Sequence, residues 1–350
     1  MEQLAQAAVL PIFRPHRPGE SKKAAASLLV WPRREGAMTT GLFTHDACFR
    51  HVAPPGHPER VERLTAVMGT LGRDSSSGLR YFEAPRADRL ALLAAHDEAL
   101  VEAVLGAEIP EGEFARIDAD TFMSPGSAEA ALRAAGAVVQ AVDAVMAGDV
   151  GNGFCAVRPP GHHAERSRAM GFCLFNNVAV GALHARAKHG LERIAVVDFD
   201  VHHGNGTQDI FWNDANLFYA STHQFPLYPG TGSRSERGVA GNVVNAPLAP
   251  GAGGDEFRTA LEDVVLPALE RFSPQFVLIS AGFDAHAADP LASLELREDD
   301  FAWATERLCD IAARHCSGRV VSALEGGYDL HALASSSASH VQVLLEESVT

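Results

Sequence analysis

Short apolar runs alternate with amphipathic stretches along most of the chain, and this alternation restricts the fold more than any other feature. Gly41-Leu-Phe-Thr44, Gly153-Phe-Cys-Ala-Val157, Ile194-Ala-Val-Val197, Leu217 to Ser221, Phe276-Val-Leu-Ile-Ser280 and Arg319-Val-Val-Ser-Ala-Leu324 read as buried strands. Between them lie stretches with helical spacing: Gly56 to Gly72, opened by Pro58; Asp97 to Leu105; the alanine-rich Ser127 to Met146, after a Ser124-Pro125-Gly126 turn; and Val178 to Lys188. Further helices are expected at Gln208 to Trp212, Gly254 to Phe272, Glu298 to His315 and Asp329 to Glu347. Strands that are apolar on both faces and joined through helices predict an α/β chain, with a parallel sheet covered by helices on both sides. No internal repeat and no composition break follows Met38, so residues 38–350 are expected to form a single domain. None of the early helices carries an obvious chemical group.

Residues 1–37 differ from the rest. They scatter Arg and Lys with little periodicity ahead of Met38-Thr-Thr, so a disordered or extraneous extension is expected there. With 47% hydrophobic residues the remainder can bury a large core, and a net charge of −15 argues against direct nucleic-acid binding or an anionic membrane surface. Five cysteines, Cys48, Cys155, Cys173, Cys309 and Cys316, form no Cys-x-x-Cys pair. They suggest neither a disulfide framework nor a cysteine zinc site, and a reducing cytoplasm fits best. No apolar run is expected to approach the roughly 20 residues of a membrane span.

Open parallel sheets place their sites beyond the carboxyl ends of the strands. Here four strands run into chemically capable residues: His162 and His163 after Arg158-Pro-Pro-Gly; Asp198, Asp200, His202 and His203; Asp284; and Tyr328 after Glu325-Gly-Gly. Carboxylates next to an apolar run are costly without a cationic partner, and a metal ion is the simplest one. In extended backbone alternate side chains share a face, so Asp198, Asp200 and His202 point the same way. Taken alone, this stretch also fits a solvated loop of turns and caps, and paired loop histidines are more often surface residues. The coincidence of four strand ends carries the site reading.

If Asp200, His202 and Asp284 bind one divalent ion, three nitrogen and oxygen ligands leave a coordination position open, the pattern of a catalytic zinc. Two carboxylates neutralise the ion's formal charge, so a general base is needed, and His162 with His163 would supply it. Asp198 could accept a ring N–H from one histidine, and Tyr328 could donate its hydroxyl to a developing oxyanion. These parts add up to hydrolysis of an amide by metal-activated water.

Arg158-Pro-Pro-Gly-His-His163, Gly171-Phe-Cys173, Asp198-Phe-Asp-Val-His-His-Gly-Asn-Gly-Thr-Gln208, Ser280-Ala-Gly-Phe-Asp284 and Glu325-Gly-Gly-Tyr328 together resemble the zinc-dependent histone deacetylases. The similarity runs from about Gly41 to the C-terminus. The Gly-Asn-Gly-Thr-Gln wording and Tyr328 resemble the class II branch and the bacterial histone deacetylase-like amidohydrolases. The resemblance implies an arginase/deacetylase-like three-layer α/β/α fold with a mostly parallel central sheet. It implies one catalytic Zn2+ per chain on Asp200, His202 and Asp284, His162 and His163 as the base and acid pair, and Tyr328 polarising the acyl carbonyl. Asp198 would orient His162, and Asn205, where class I members carry Asp, would leave His163 easier to deprotonate. Gly171, Phe172 and Tyr228 would line an acyl-lysine tunnel with Leu291 at its mouth. A structural K+ is implied near Asp198, Asp200, His202, Ser221 and Thr222, largely through backbone oxygens. The implied substrate is an acylated lysine side chain of a protein or a small acylated amine.

Three other readings share parts of this pattern. The binuclear manganese ureohydrolases share the fold, but a second metal needs carboxylates where this chain has Gly204 and His286, so one metal is expected. An acetylpolyamine amidohydrolase shares most motifs; Leu291, standing where polyamine-selective relatives can carry Glu, tilts the reading towards acyl-lysine. A non-catalytic relative would lack Tyr328 or the histidine pair, and both are present. The loop from Phe225 to Gly241 is long enough to lie at a subunit contact or over the site, which leaves a homo-oligomer open.

Overall fold

The computed structural model describes residues 39–72 and 78–348; the extension expected at residues 1–37 lies outside them. Along the chain the strands are β1 Thr40–Thr44, β2 Leu79–Glu83, β3 Ala115–Arg116, β4 Phe122–Met123, β5 Asn152–Cys155, β6 Ile194–Asp198, β7 Leu217–Gln224, β8 Val243–Leu248, β9 Phe276–Ala281 and β10 Val320–Leu324. The helices are α1 Val61–Leu71, α2 Arg89–Ala95, α3 Glu98–Leu105, α4 Ser127–Ala147, α5 Asn177–His189, α6 Asn205–Phe211, α7 Gly254–Ala260, α8 Leu266–Phe272, α9 Glu298–Cys316 and α10 Leu330–Glu347. A π-helical turn, Leu261–Val265, joins α7 to α8, so the expected long helix is continuous but bulged.

Eight strands form one sheet in the order β2-β1-β5-β10-β9-β6-β7-β8, and every adjacent pair is parallel. All residues of β5, β6, β7, β9 and β10 are buried, as both-face burial requires of a sheet under two helical layers. Both α5 and α9 pack on β9 yet on different partners: α5 sits with α4 and α2, whereas α9 sits with α10 and α8. These are the two layers, and the fold is the expected α/β/α sandwich. Removing side chains such as Val196, Val197, Leu278 and Ile279 from water contributes about 1.5–3 kcal/mol each.

Local chemistry fixes the ends of α5, which bears on two sites below. Asn176 caps its start by accepting the amide of Ala179, and Gly190 ends it in the left-handed region at φ 65°. Arg186, Lys188 and His189 fill the last turn, where the helix dipole favours cations.

Three expectations need correction. The helix foreseen from Gly56 begins only at Val61, because Glu59 is drawn into a buried ion pair with Arg158 and the preceding segment stays irregular. That helix does carry chemistry: Arg63 on α1 is fully buried. Finally, α4 is long and apolar enough to cross a membrane by length and composition, because its many alanines add up over 21 residues. Within this fold 61% of its apolar window is buried, against α5, β1 and β5 among others.

Candidate active site

β6 ends at Asp198, and the chain then leaves the sheet so that Asp200 and His202 stand beyond its carboxyl end. β9 is hydrogen-bonded beside it, with Ser280 opposite Asp198, and leads to Asp284. Strand order thus brings together residues more than 80 positions apart. Nδ1 of His202 lies 3.1 Å from Asp200 Oδ1 and 3.1 Å from Asp284 Oδ2, and one ligand atom from each residue falls within 4.8 Å of the others. All three residues are buried. The remaining oxygens are occupied: Asp284 Oδ1 accepts the amide of Val201 at 2.9 Å and Asp200 Oδ2 that of Gly326 at 2.8 Å. Glycine is required at 282 and 326, since a Cβ at either would run into these carboxylates.

One imidazole cannot neutralise two carboxylates here. Burial disfavours every charge in the cluster, yet His162 and His202 hold the Asp200 carboxyl well below its usual range. In return Asp200 and Asp284, against burial, raise the His202 imidazole to about 10. A histidine that holds a proton so strongly, facing two inward-pointing carboxylate oxygens through Nδ1, marks a position built for positive charge. Two oxygens and one nitrogen at this spacing suit a zinc ion, with room left in its coordination shell.

The histidine pair follows β5. Its turn is pinned by Glu325, whose Oε2 accepts the amides of Gly161 at 2.6 Å and His162 at 3.1 Å. Nδ1 of His162 is 3.0 Å from Asp198 Oδ2, and its Nε2 is 3.8 Å from Asp200 Oδ1. Burial pushes the imidazole down, but Asp200 and Asp198 outweigh it and hold His162 well above its ordinary value. His163 pairs through Nδ1 with Asn205 Oδ1 at 2.8 Å, and the amide nitrogen of Asn205 donates to Glu165 Oε1 at 2.7 Å. Burial and the neighbouring His162 and His202 push His163 well below its ordinary value. The two rings, with centroids 4.0 Å apart, are thus shifted in opposite directions.

Tyr328 follows β10 and Gly326-Gly327. Arg63 donates to Gly327 O at 2.6 Å and to Glu325 O at 2.5 Å, and its guanidinium lies 4.8 Å from the Tyr328 ring centre. Asp289 Oδ2 accepts the amide of Tyr328 at 2.7 Å, and its Oδ1 that of Leu291 at 3.0 Å. Burial raises the phenol well above its ordinary value, so it remains a proton donor.

These groups meet in a cavity of about 240 Å³. His163, His202 and Tyr328 form its buried end, while Tyr228 and Leu291 are 38% and 36% exposed at the other. Gly171, Phe172 and Leu227 line the walls, with Pro58 and Asp120. Tyr228 stands edge-on to His163 with centroids 5.2 Å apart, and Phe172 edge-on to Tyr328 at 5.9 Å. A side chain at Gly171 would collide with the His163 ring.

The structure thus puts His163, His202, Tyr328, Gly171, Phe172, Tyr228 and Leu291 on the wall of one cavity, and places Asp200 and Asp284 against His202, Asn205 against His163, and Asp198 against His162, whose ring lies beside that of His163. His203 faces the other way, its ring bonded to Thr231 and Gln208. Ser221 lies opposite Asp198 on β7, its hydroxyl on His223 at 2.8 Å, with Thr222 next to it. Neither Arg63, Asp289 nor Asp120 was foreseen; each sits outside any motif, and only contacts across the fold reveal it.

A parallel α/β sandwich with a candidate nitrogen-and-oxygen metal cradle at its strand ends is the arrangement of the arginase/deacetylase-like fold. Residues 57–344 match the histone deacetylase domain family. The chain is 40% identical over 299 residues to a probable deacetylase of Archaeoglobus fulgidus, covering 84% of this chain and 82% of that one. It is 39% identical over 313 residues to a histone deacetylase-like amidohydrolase of Pseudomonas aeruginosa, covering 83% and 81%. The crystal structure of the HDA15 HD domain superposes with a TM-score of 0.82 at 36% identity, covering 89% of this chain and 90% of that one. The chain belongs to the histone deacetylase family, which includes the bacterial amidohydrolase-like group, and is a hydrolase of a family in which zinc dependence is typical.

Proposed function

We propose that residues 38–350 form one deacetylase domain that hydrolyses the amide of an acetyl-lysine side chain, or of a related acylated amine, to free amine and acetate. The observation that carries this reading is the meeting of one inward carboxylate–imidazole–carboxylate cradle, two adjacent histidines, one held by a carboxylate and the other by an amide, and one phenol at a narrow cavity. Asp200, His202 and Asp284 would hold one zinc ion, which supplies Lewis acidity to the acyl carbonyl and to water.

The chain's own residues do the rest. Asn205 directs its amide N–H to Glu165, so its oxygen faces His163 and accepts the Nδ1 proton. Nε2 of His163 is then free to take a proton from the attacking water and return it to the departing amine. Asp198 fixes His162 in the same way and keeps its positive charge beside the reacting centre. Tyr328 donates to the acyl oxygen as negative charge develops there. Phe172 and Tyr228 flank a straight alkyl chain and exclude water from the amide.

A structural potassium ion near Asp198, Asp200, His202, Ser221 and Thr222 belongs to the same proposal, supported by the buried Thr222 hydroxyl, which has no hydrogen-bond partner among the described residues. Five free, buried cysteines support a reducing cytoplasm as its location.

The test is a panel of acetyl-lysine peptides, longer acyl-lysines and acetylputrescine, assayed after chelation and after zinc is restored. Turnover of acetyl-lysine should vanish and return with zinc. Tyr328→Phe should lower kcat about 10²–10³-fold with zinc retained. Unchanged turnover in that variant would remove the phenol from the mechanism, and a large preference for acetylputrescine would replace the lysine substrate with a polyamine.

A further inference from the structure

We propose a second metal position, remote from the catalytic cavity, formed by Asp143 on α4 with His184 and His189 on α5 and suited to zinc or a neighbouring transition ion. Nε2 of His184 lies 2.8 Å and Nε2 of His189 2.7 Å from the same oxygen, Oδ1 of Asp143. The three ligand atoms fall within 4.8 Å of one another. The rings reach that oxygen from different directions, with centroids 6.0 Å apart and planes at 77°.

Zinc bonds of about 2.0–2.1 Å place tetrahedral ligands about 3.3 Å apart, so each oxygen–nitrogen separation needs to open by only about half an ångström. Side-chain torsions at a partly exposed site supply that movement. Exposure of 12%, 20% and 31% at His184, His189 and Asp143 also leaves room for an ion to enter and for water to complete its shell.

Two details separate this cluster from an ordinary ion pair. Among the described residues neither ring has a protein partner at Nδ1, so each can carry its proton there and offer a bare Nε2. Lys188 bonds the other carboxylate oxygen, Oδ2, at 2.8 Å and so turns Oδ1 towards the rings. The Lys188 ammonium on Oδ2 also favours the ionised carboxylate that a metal ligand must be. Two imidazoles and one carboxylate select zinc, nickel or copper over magnesium or calcium. An ion there would staple the end of α5 to α4 without touching a catalytic residue.

Full-length protein stripped by a chelator and re-equilibrated with micromolar Zn2+ should hold about two ions per chain by elemental analysis. His184→Gln/His189→Gln keeps hydrogen-bond donors on a good helix former but removes both nitrogen ligands, and should hold one fewer while deacetylation is unchanged. Asp200→Asn should also hold one fewer and lose activity. Zinc added to the singly loaded protein should raise the thermal midpoint of the wild type but not of the double glutamine variant. Equal zinc content in wild type and the double glutamine variant would overturn the surface site and leave the catalytic one standing. Equal content in wild type and Asp200→Asn, with a loss only in the glutamine variant, would do the reverse.

Discussion

Two buried clusters of charge lie close together in this molecule, and they are satisfied in opposite ways. In the first, Glu59, Arg63, Arg158 and His51 are all removed from water. Arg158 grips both oxygens of Glu59 and gives its last nitrogen to the carbonyls of Cys48 and His51 at 3.2 and 3.1 Å. Arg63 reaches Glu59 at 3.1 Å and two further carbonyls. Burial works against the charge of Glu59, but Arg158 keeps its carboxyl well below the usual range. In the second cluster Asp198, Asp200, Asp284 and Glu325 have His162 and His202 as their close cationic partners, and burial pushes Asp198, Asp284 and Glu325 up, the last to about 7. Where charge serves the fold, the chain provides its own compensation. Where acid exceeds base, the excess suits the zinc ion proposed there, and the Arg63 hydrogen bond to Gly327 ties the two clusters together.

The comparison breaks most sharply at Asp284. Asp284→Asn should abolish turnover and zinc retention at the catalytic position, yet the zinc-free variant should unfold at no lower denaturant concentration than zinc-free wild type, because burial and the neighbouring Asp200 push this carboxyl above its ordinary value and its charge opposes the fold. A clear drop in its midpoint would mean that the acidic cluster is self-sufficient. The same operation on the Glu59 cluster should have the opposite sign. Glu59→Gln strands two buried guanidinium groups and should cost about 3–5 kcal/mol in both zinc-free and zinc-loaded protein. A cost below about 1 kcal/mol would show that water or rearrangement replaces the carboxylate.

Buried imidazoles extend the contrast to pH. His162 and His202, beside surplus acid, are pushed towards the charged form, whereas His96 accepts the amide of Asn176 at Nε2 and donates to the Glu165 carbonyl at Nδ1, which is the neutral tautomer. Burial brings it down to about 4. The unfolded chain binds this proton near 6.5 and the native one only near 4, so its contribution is complete above pH 6.5 and is lost as pH falls towards 4. The gap caps the loss at about 3 kcal/mol. Denaturant titrations of zinc-free protein across that range should show a flatter slope in His96→Gln, and an unaltered slope would assign the acid sensitivity elsewhere.

How much of this was legible follows from where each signal resides. β5, β6, β9 and β10 announce themselves because an apolar run is local, and so does the break into Asp198 or Glu325. β2, Leu79–Glu83, is an edge strand with mostly solvent-facing residues, and β8, Val243–Leu248, mixes Asn245 and Pro247 into its run, so neither shows the continuous apolar stretch of a central strand. Motif order supplied the ligand set. Nothing local says that β9 lies beside β6, which is what joins Asp284 to Asp200. Arg63 is hidden for the same reason: its hydrogen bond to Gly327 spans 264 positions, and a lone arginine on an amphipathic helix looks like solvated surface.

The smallest expected effect lies where the cavity opens to water. Leu291→Glu adds a carboxylate to an already acidic molecule, but at an exposed position, so it tests whether surplus acid matters only when buried. The backbone there is held by Asp289 and should not move. An exposed ion pair is worth about 0–1 kcal/mol, so kcat/KM for acetylputrescine relative to an acetyl-lysine peptide should rise no more than about fivefold. Raising the salt concentration should erase the gain, since charges in contact with water are screened over about a Debye length. A hundredfold, salt-resistant rise would place the mouth of the cavity with the desolvated region and make this one position the determinant of substrate class.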